Sequence, residues 1–181
     1  MIGCSEFCGY YDWTFEWLRR NYGEQAVRRY WEEAICRDSQ DHARNLIIPR
    51  GIPGMVEYWG HTLAEEQAGY TCCFDEAAGY YRIDMTACPS KGYNLEHGYA
   101  YYHDYCDHCM GWIKPIMDQA GFVIHHDHNH AGQCWLEVRR AQDDPGPSAP
   151  GELTANDVRL RDDYFTGNHH TWRAGVLEGD E

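Results

Sequence analysis

The spacing of apolar positions predicts a helical first third of the chain. Trp13, Trp17 and Leu18 recur at helical intervals, and Gly23 follows as a stop. A longer amphipathic stripe comes next, in which apolar residues repeat every three or four positions along the segment that precedes Pro49. Three helices are therefore predicted, over residues 10–22, 24–47 and 55–68.

The pattern changes after Gly69 to that of strands. In residues 80–88, Tyr81, Ile83 and Met85 alternate with polar residues, which predicts a strand with one apolar face. The pattern predicts, in order, a hairpin over 70–88, a loop over 89–98, a helix over 99–119 and a second hairpin over 122–140. Helices and strands are segregated along the chain, so the predicted fold is α+β with N-terminal helices, two β-hairpins forming an antiparallel sheet, and an intervening helix.

The composition changes again at residue 141. Residues 141–157 are rich in Pro, Gly and acidic residues, which is typical of a linker or an extended arm. We therefore predict an α+β domain over 1–140, which holds the catalytic or ligand-binding site, and a linker with an extended C-terminal tail over 141–181. The tail either wraps a partner subunit, which would make a homo-oligomer, or is mobile.

The net charge of the chain argues against some classes of binding partner. The 181 residues include 29 acidic and 15 basic ones, for a net charge of −14, which argues against a nucleic-acid or anionic-membrane surface. The N-terminus has neither a basic start nor a long apolar run, so a signal peptide is not expected. We expect a cytoplasmic protein whose nine cysteines are reduced and whose partner is a small molecule.

Candidate chemistry is concentrated between residues 103 and 134, which hold six of the eleven histidines. On the predicted helix, His103, Cys106 and Asp107 stand at i, i+3 and i+4, so one face would carry all three. The CxxC pair of Cys106 and Cys109 fits half a zinc site or a redox pair, unless Cys109 packs in the core and Cys106 alone reaches the pocket.

The HHDHNH segment is the second candidate. On a strand, His126, His128 and His130 share one face, a common way to present imidazoles to a metal. Hairpin length decides whether Cys134 joins them: a three-residue turn places it on the face of His128, and a two- or four-residue turn does not. A divalent metal held by these four residues is predicted, zinc being favoured over iron, although a solvated hairpin end without a specific metal also fits.

Cys88 is the third candidate, at the end of a strand and before Pro89. A thiol there, near His103 and Asp107, would have a lowered pKa and act as a nucleophile. It would otherwise bind metal together with Cys106, or be an inert buried thiol. The candidate catalytic residues are thus Cys88, His103, Cys106 and Asp107.

These motifs also resemble a known family. Ala-Cys-Pro at 87–89, YCDHC at 105–109 and HAGQCWLEV at 130–138 resemble, in order and spacing, the L-2-amino-thiazoline-4-carboxylate hydrolase family. The resemblance covers residues 10–140 and implies hydrolytic opening of a small ring that contains sulfur and nitrogen. It implies Cys88, Cys106, Asp107 and Cys134 as the matching positions, while HHDHNH departs from the family pattern and indicates metal-assisted or otherwise altered chemistry.

The order of helices and hairpins also resembles the vinyl-reductase-type domains of aromatic-sensing regulators. In those domains cysteines hold a structural zinc beside a pocket for an aromatic ligand. Two hypotheses result. The first is a hydrolase or lyase that cleaves a C–N or C–S bond of a small heterocyclic or aromatic molecule. The second is a small-molecule-binding module with a structural metal and no catalysis.

Overall fold

The computed structural model describes residues 6–99, 101–164 and 170–172. Six α-helices and five strands form an α+β fold, as predicted. The helices are α1 (Glu6–Tyr22), α2 (Glu24–Arg29), α3 (Asp41–Arg50), α4 (Ile52–Glu65), α5 (Pro89–Glu96) and α6 (His108–Ala120). The strands are β1 (Gly69–Asp75), β2 (Tyr80–Ala87), β3 (Phe122–His128), β4 (Cys134–Arg140) and β5 (His170–Trp172), with a π-helical segment over Tyr30–Arg37 and a 3₁₀ turn over Tyr105–Asp107.

The five strands form one antiparallel sheet in the order β1-β2-β4-β3-β5. The two predicted hairpins are β1–β2 and β3–β4, and they lie side by side because β2 pairs with β4. One face of the sheet packs against α3, α4 and α6 and forms the main core. The sheet residues in that core are Tyr81, Ile83, Met85, Phe122, Ile124, Leu136 and Val138. The N-terminal helices form a second core cluster around Phe15 and Trp31.

Three predicted elements differ from the structure, two of them for a local reason. The predicted helix over 24–47 is interrupted at Gln40, directly after Ser39, whose hydroxyl donates to the Ile35 carbonyl at 2.8 Å. The predicted loop over 89–98 contains α5, because Pro89 suits the first helical position and Cys88 Sγ accepts the Lys91 N–H.

The third difference is the predicted start of a helix at residue 99. Helix α6 begins only at His108, after bends and the 3₁₀ turn. The buried Asp12 carboxylate accepts the backbone N–H groups of Tyr101 and Tyr102, at 2.9 and 3.1 Å, and so holds this stretch against α1 in a non-helical path. His103, Cys106 and Asp107 therefore do not share one helix face.

The second face of the sheet is buried as well. Residues 141–164 cover it with little regular structure, and Val158 and Tyr164 pack on Trp135. Beneath them, buried Arg82 lies within 3.0 Å of the carboxylates of Asp84, Glu137 and Asp157. The division at residue 140 stays a prediction, and the tail beyond 164 lies outside the described residues except for β5.

Helices α3 and α4 pack closely against each other at Gly54. A Cβ at this position would collide with the carbonyl group of Leu46, so Gly54→Ala is expected to destabilise the protein by about 1–3 kcal/mol. Gly60→Ala is the matched control in the same helix, because Gly60 is exposed and a Cβ there meets nothing within 4 Å. The free energy of unfolding of Gly60→Ala should rise by about 0.5–1 kcal/mol, because alanine has the higher helix propensity. Urea unfolding measures both, and equal effects would contradict the packing.

The pKa of Asp157 predicts acid sensitivity. Burial raises this pKa, but hydrogen bonds from the Arg159 side chain and from the Gly151 and Arg159 N–H groups, with the charge of Arg82, lower it to about 2. A lowered carboxylate pKa stabilises the folded state fully above the unfolded pKa of about 3.9, and this contribution is lost as the pH falls toward 2.

The prediction is tested by unfolding free energies measured between pH 5 and pH 2.5. They should fall less steeply in Asp157→Asn than in the parent protein, whereas Asp143→Asn, at an exposed position, should leave the slope unchanged. Identical slopes in all three proteins would contradict the assignment.

Candidate metal centre

The β3–β4 hairpin positions the histidines. Five residues, 129–133, join the strands, and the register places His128 opposite Cys134 and His126 opposite Leu136. Because the loop has an odd number of residues, His128 and Cys134 share a face, which settles the question that the sequence left open. That face is the one that packs on the helices, and both His126 and His128 are buried.

The loop is held by Asn129. Its side-chain oxygen accepts the N–H groups of Ala131 at 2.9 Å and Gln133 at 3.2 Å. This arrangement leaves His130 with a φ of +56°, in the left-handed region that non-glycine residues seldom occupy. Such strain persists only where the surroundings fix it, and here it brings the His130 ring to 4.3 Å from the His128 ring between centroids.

Asp107 fixes the orientation of His128. The His128 Nε2–H lies 2.8 Å from Asp107 Oδ1, and both side chains are buried. With the proton on Nε2, Nδ1 is the acceptor atom of the ring and accepts the His130 N–H at 3.4 Å, a hydrogen bond that an ion bound at Nδ1 would replace. A carboxylate that orients an imidazole in this way is the usual outer partner of a metal-binding histidine.

Three donor atoms then converge. Cys106, His128 and His130 each offer one ligand atom, and these atoms all lie within 4.8 Å of one another. Cys106 comes from the 3₁₀ turn before α6, whereas both imidazoles come from the hairpin. His128 is buried, while Cys106 and His130 are partly exposed, so the group opens toward the surface. One sulfur and two imidazole nitrogens suit zinc better than the hard cations.

Further thiols lie around this group. The Cys88 N–H donates to the Gly132 carbonyl at 2.7 Å, which ties the end of β2 to the hairpin loop. The thiols of Cys88, Cys106, Cys109 and Cys134 lie close enough to influence one another electrostatically. Burial, followed by this mutual repulsion, raises the pKa of Cys88 to about 12 and those of Cys106 and Cys134 well above the usual value. The predicted lowering of the Cys88 pKa is therefore wrong.

The remaining candidates are placed as follows. His126 is buried beside His128, with 5.5 Å between ring centroids, and no hydrogen bond to its Nδ1 is found among the described residues. Burial and the charge of His128 lower its pKa to about 3. Cys109 packs against the main core. This placement corresponds to the alternative in which Cys106 alone reaches the site. His103 lies at the surface, with Nε2 3.1 Å from Asp104 and 3.9 Å from Glu24, outside the three-donor group.

Sequence reasoning missed the role of Asp107 as partner of His128 and that of Asn129 in shaping the loop. Asp107 was expected beside His103 on a helix, although acidic residues next to a Cys and His cluster are a general signal of outer metal partners. The sequence feature that could have indicated the role of Asn129 is its position at the start of a turn that also contains Gly132.

Comparisons with family models, with curated proteins and with solved structures give no match to this chain. The resemblance to the thiazoline-carboxylate hydrolase family therefore stays a prediction. No helix among the described residues combines the length and the apolar character needed to cross a membrane. No disulfide joins any of the eight cysteines among the described residues.

Proposed function

We propose that this chain is a metal-dependent hydrolase or lyase that cleaves a C–N or C–S bond of a small heterocyclic or aromatic molecule. The observation that carries the proposal is the convergence of Cys106, His128 and His130 within 4.8 Å. Three protein donors with a position left for water or substrate are typical of catalytic zinc sites, whereas structural sites have four. The partial exposure of Cys106 and His130 supports access from solvent.

Each residue has a role in this proposal. Cys106, His128 and His130 hold the ion, and a zinc ion at such a site supplies Lewis acidity that activates water and polarises the scissile bond. Asp107 keeps the His128 proton on Nε2 and so keeps Nδ1 directed at the ion. The thiols of Cys88 and Cys134 lie near that of Cys106, outside the three-donor group. The cytoplasm, where thiols stay reduced, is the proposed location.

A binding module with a structural metal is the second candidate. The thiols of Cys88 and Cys134 favour it, because both influence or feel the Cys106 thiol electrostatically, and a closed site would need one of them to move in as a fourth donor beside the three-donor group. The two candidates differ in what metal removal does. A structural ion contributes to folding, so its removal unfolds the protein, whereas removal of a catalytic ion leaves a folded, inactive protein.

The test combines chelation with an activity assay. Zinc-loaded protein is incubated with five-membered rings that contain nitrogen and sulfur, 2-aminothiazoline-4-carboxylate among them, and released thiol is measured. We expect thiol release that stops on chelation while the circular dichroism is unchanged. Asp107→Asn should reduce release, and Asp118→Asn, an exposed control that pairs with Lys114, should not. Unfolding on chelation would favour the binding module, and release that resists chelation would contradict the proposal.

A further inference from the structure

Helix α5 buries polar side chains where a surface helix ordinarily buries apolar ones. Its only buried residues are Lys91 and Asn94, which are 6% and 1% exposed. The two positions are i and i+3, so both side chains lie on the same face of the helix. Lysine is among the residues least often buried, and a surface helix normally turns a stripe of apolar residues inward. A buried face made of an ammonium and a carboxamide therefore serves a purpose other than packing.

Neither polar group has a partner within the described part of the chain. The Lys91 ammonium forms no hydrogen bond or ion pair with any described residue, and it lies over the Tyr105 ring, 5.5 Å from the ring centroid. Both polar atoms of the Asn94 side chain, Oδ1 and Nδ2, are buried without a hydrogen bond. The neighbouring Ser90 hydroxyl is engaged with the Tyr105 hydroxyl at 2.6 Å. A buried charge and a buried amide without partners cost free energy, which a bound anion would recover.

We infer that Lys91 and Asn94 form a binding site for the carboxylate of a small molecule. One carboxylate oxygen accepts a hydrogen bond from Lys91 Nζ and the other from Asn94 Nδ2, which leaves Asn94 Oδ1 to accept an N–H or O–H of the same molecule. A carboxylate has one negative charge and so balances the single ammonium. A phosphate dianion would leave an unpaired negative charge in a buried setting, and the net charge of −14 disfavours the approach of multiply charged anions.

The carboxylate site adjoins the candidate metal centre. Burial and the Cys88 thiol raise the pKa of the Cys106 thiol well above its usual value, and the charge of Lys91 counteracts them, so the ammonium lies close to that thiol. Tyr105, whose ring lies against Lys91, directly precedes Cys106 in the 3₁₀ turn. A molecule held by its carboxylate is thus positioned beside the three-donor group. The inference does not rest on the proposed function, because binding of an anion requires neither the ion nor turnover.

Nuclear magnetic resonance of the full chain tests the site, because Lys91 and Lys114 are the only two lysines. In protein labelled with carbon-13 at lysine Cε, the Lys114→Met variant identifies the signal of Lys91. At constant ionic strength, sodium acetate should shift the Lys91 signal with a dissociation constant of about 1–10 mM, the range for a ligand of so few atoms. Acetamide, the neutral counterpart, should not shift it. The signal of Lys114, which pairs with Asp118, should stay in place.

Two substitutions separate a binding role from a packing role. Asn94→Leu keeps the side-chain volume and removes both polar atoms, so it should weaken acetate binding by about tenfold or more. Lys91→Met removes a buried charge that has no partner, so in the absence of acetate it should raise the midpoint of thermal unfolding by about 2–4 °C. Acetate should raise the midpoint of the parent protein and leave that of Lys91→Met unchanged.

The outcome for the carboxylate site is independent of the outcome for the metal centre. Cys106→Ser removes one donor of the proposed centre and should leave the acetate-induced shift of Lys91 in place. The inference fails if acetate leaves the Lys91 signal unmoved, if acetamide moves it equally, or if Lys91→Met unfolds at a lower temperature than the parent protein. A Lys91 signal that responds to Cys106→Ser but not to acetate would show that Lys91 is only the counter-charge of the Cys106 thiol.

Discussion

A His128→Ala variant is expected to bind zinc at least about 100-fold more weakly than the parent protein. The change removes one of the three donors, and it also leaves the buried Asp107 carboxylate without the imidazole that lies 2.8 Å from it. Both effects act on the same site, so they reinforce each other. Competition with a chromophoric chelator measures the affinity directly and needs no substrate.

The control for this variant is His97→Ala. His97 is exposed at the end of α5, where it stacks on Tyr93 with 4.0 Å between ring centroids, so the same exchange of histidine for alanine is made outside the donor group. Zinc affinity should then equal that of the parent protein. If both variants bound zinc as tightly as the parent, His128 would not be a ligand.

Arg82→Met is expected to lower the free energy of unfolding by about 3–5 kcal/mol. The guanidinium is buried, and its removal leaves the carboxylates of Asp84, Glu137 and Asp157 facing one another without the central positive charge. The cation–π contact with Trp135, at 4.9 Å, is lost as well. Chemical unfolding monitored by tryptophan fluorescence measures the change.

Arg29→Met is the control for this variant, because the Arg29 side chain is 75% exposed and its ion pair with Glu33 is 3.7 Å long. An exposed pair of this kind contributes little, so the expected change is within about 0.5 kcal/mol. A similar small change in Arg82→Met would show that the buried charges are compensated in another way.

The architecture could be predicted because its signals are local. Alternation in β2 and the two turns fix the hairpins, and the helical stripes fix the N-terminal helices. For the helix predicted to start at residue 99, a contact distant in sequence decided the outcome. Residues 99–107 have a helical pattern, but the Asp12 carboxylate, about ninety positions earlier, takes the N–H groups of Tyr101 and Tyr102.

The candidate site was predicted only in part, because some of its contacts are local in sequence and others are distant. Local periodicity places His126 and His128 on one face, and the register with Cys134 then followed from loop length, which a sequence does not fix. The strained backbone at His130 and the contact of Asp107 with His128 depend on how the 3₁₀ turn docks on the hairpin. The periodicity of apolar residues along the sequence does not predict such a contact.

The burial of the polar face of the sheet is the clearest difference between the sequence-based prediction and the structure. Arg82 and Asp84 alternate with apolar residues, and such alternation is typical of a strand with one side in water. They are instead buried, because residues 148–159 return across the sheet and Val158 donates its N–H to Asp84. Buried charges remain tolerable there because each finds an opposite charge.

The absorption spectrum of the cobalt(II)-substituted protein tests the metal centre most directly. A site built from Cys106, His128 and His130 predicts a thiolate-to-cobalt band in the near ultraviolet and intense visible bands of a four-coordinate ion. The thiolate band should disappear in Cys106→Ser and persist in Cys109→Ser, the neighbouring thiol that packs against the core. A weak spectrum like that of hydrated cobalt, or a thiolate band that survives in Cys106→Ser, would contradict the proposed centre.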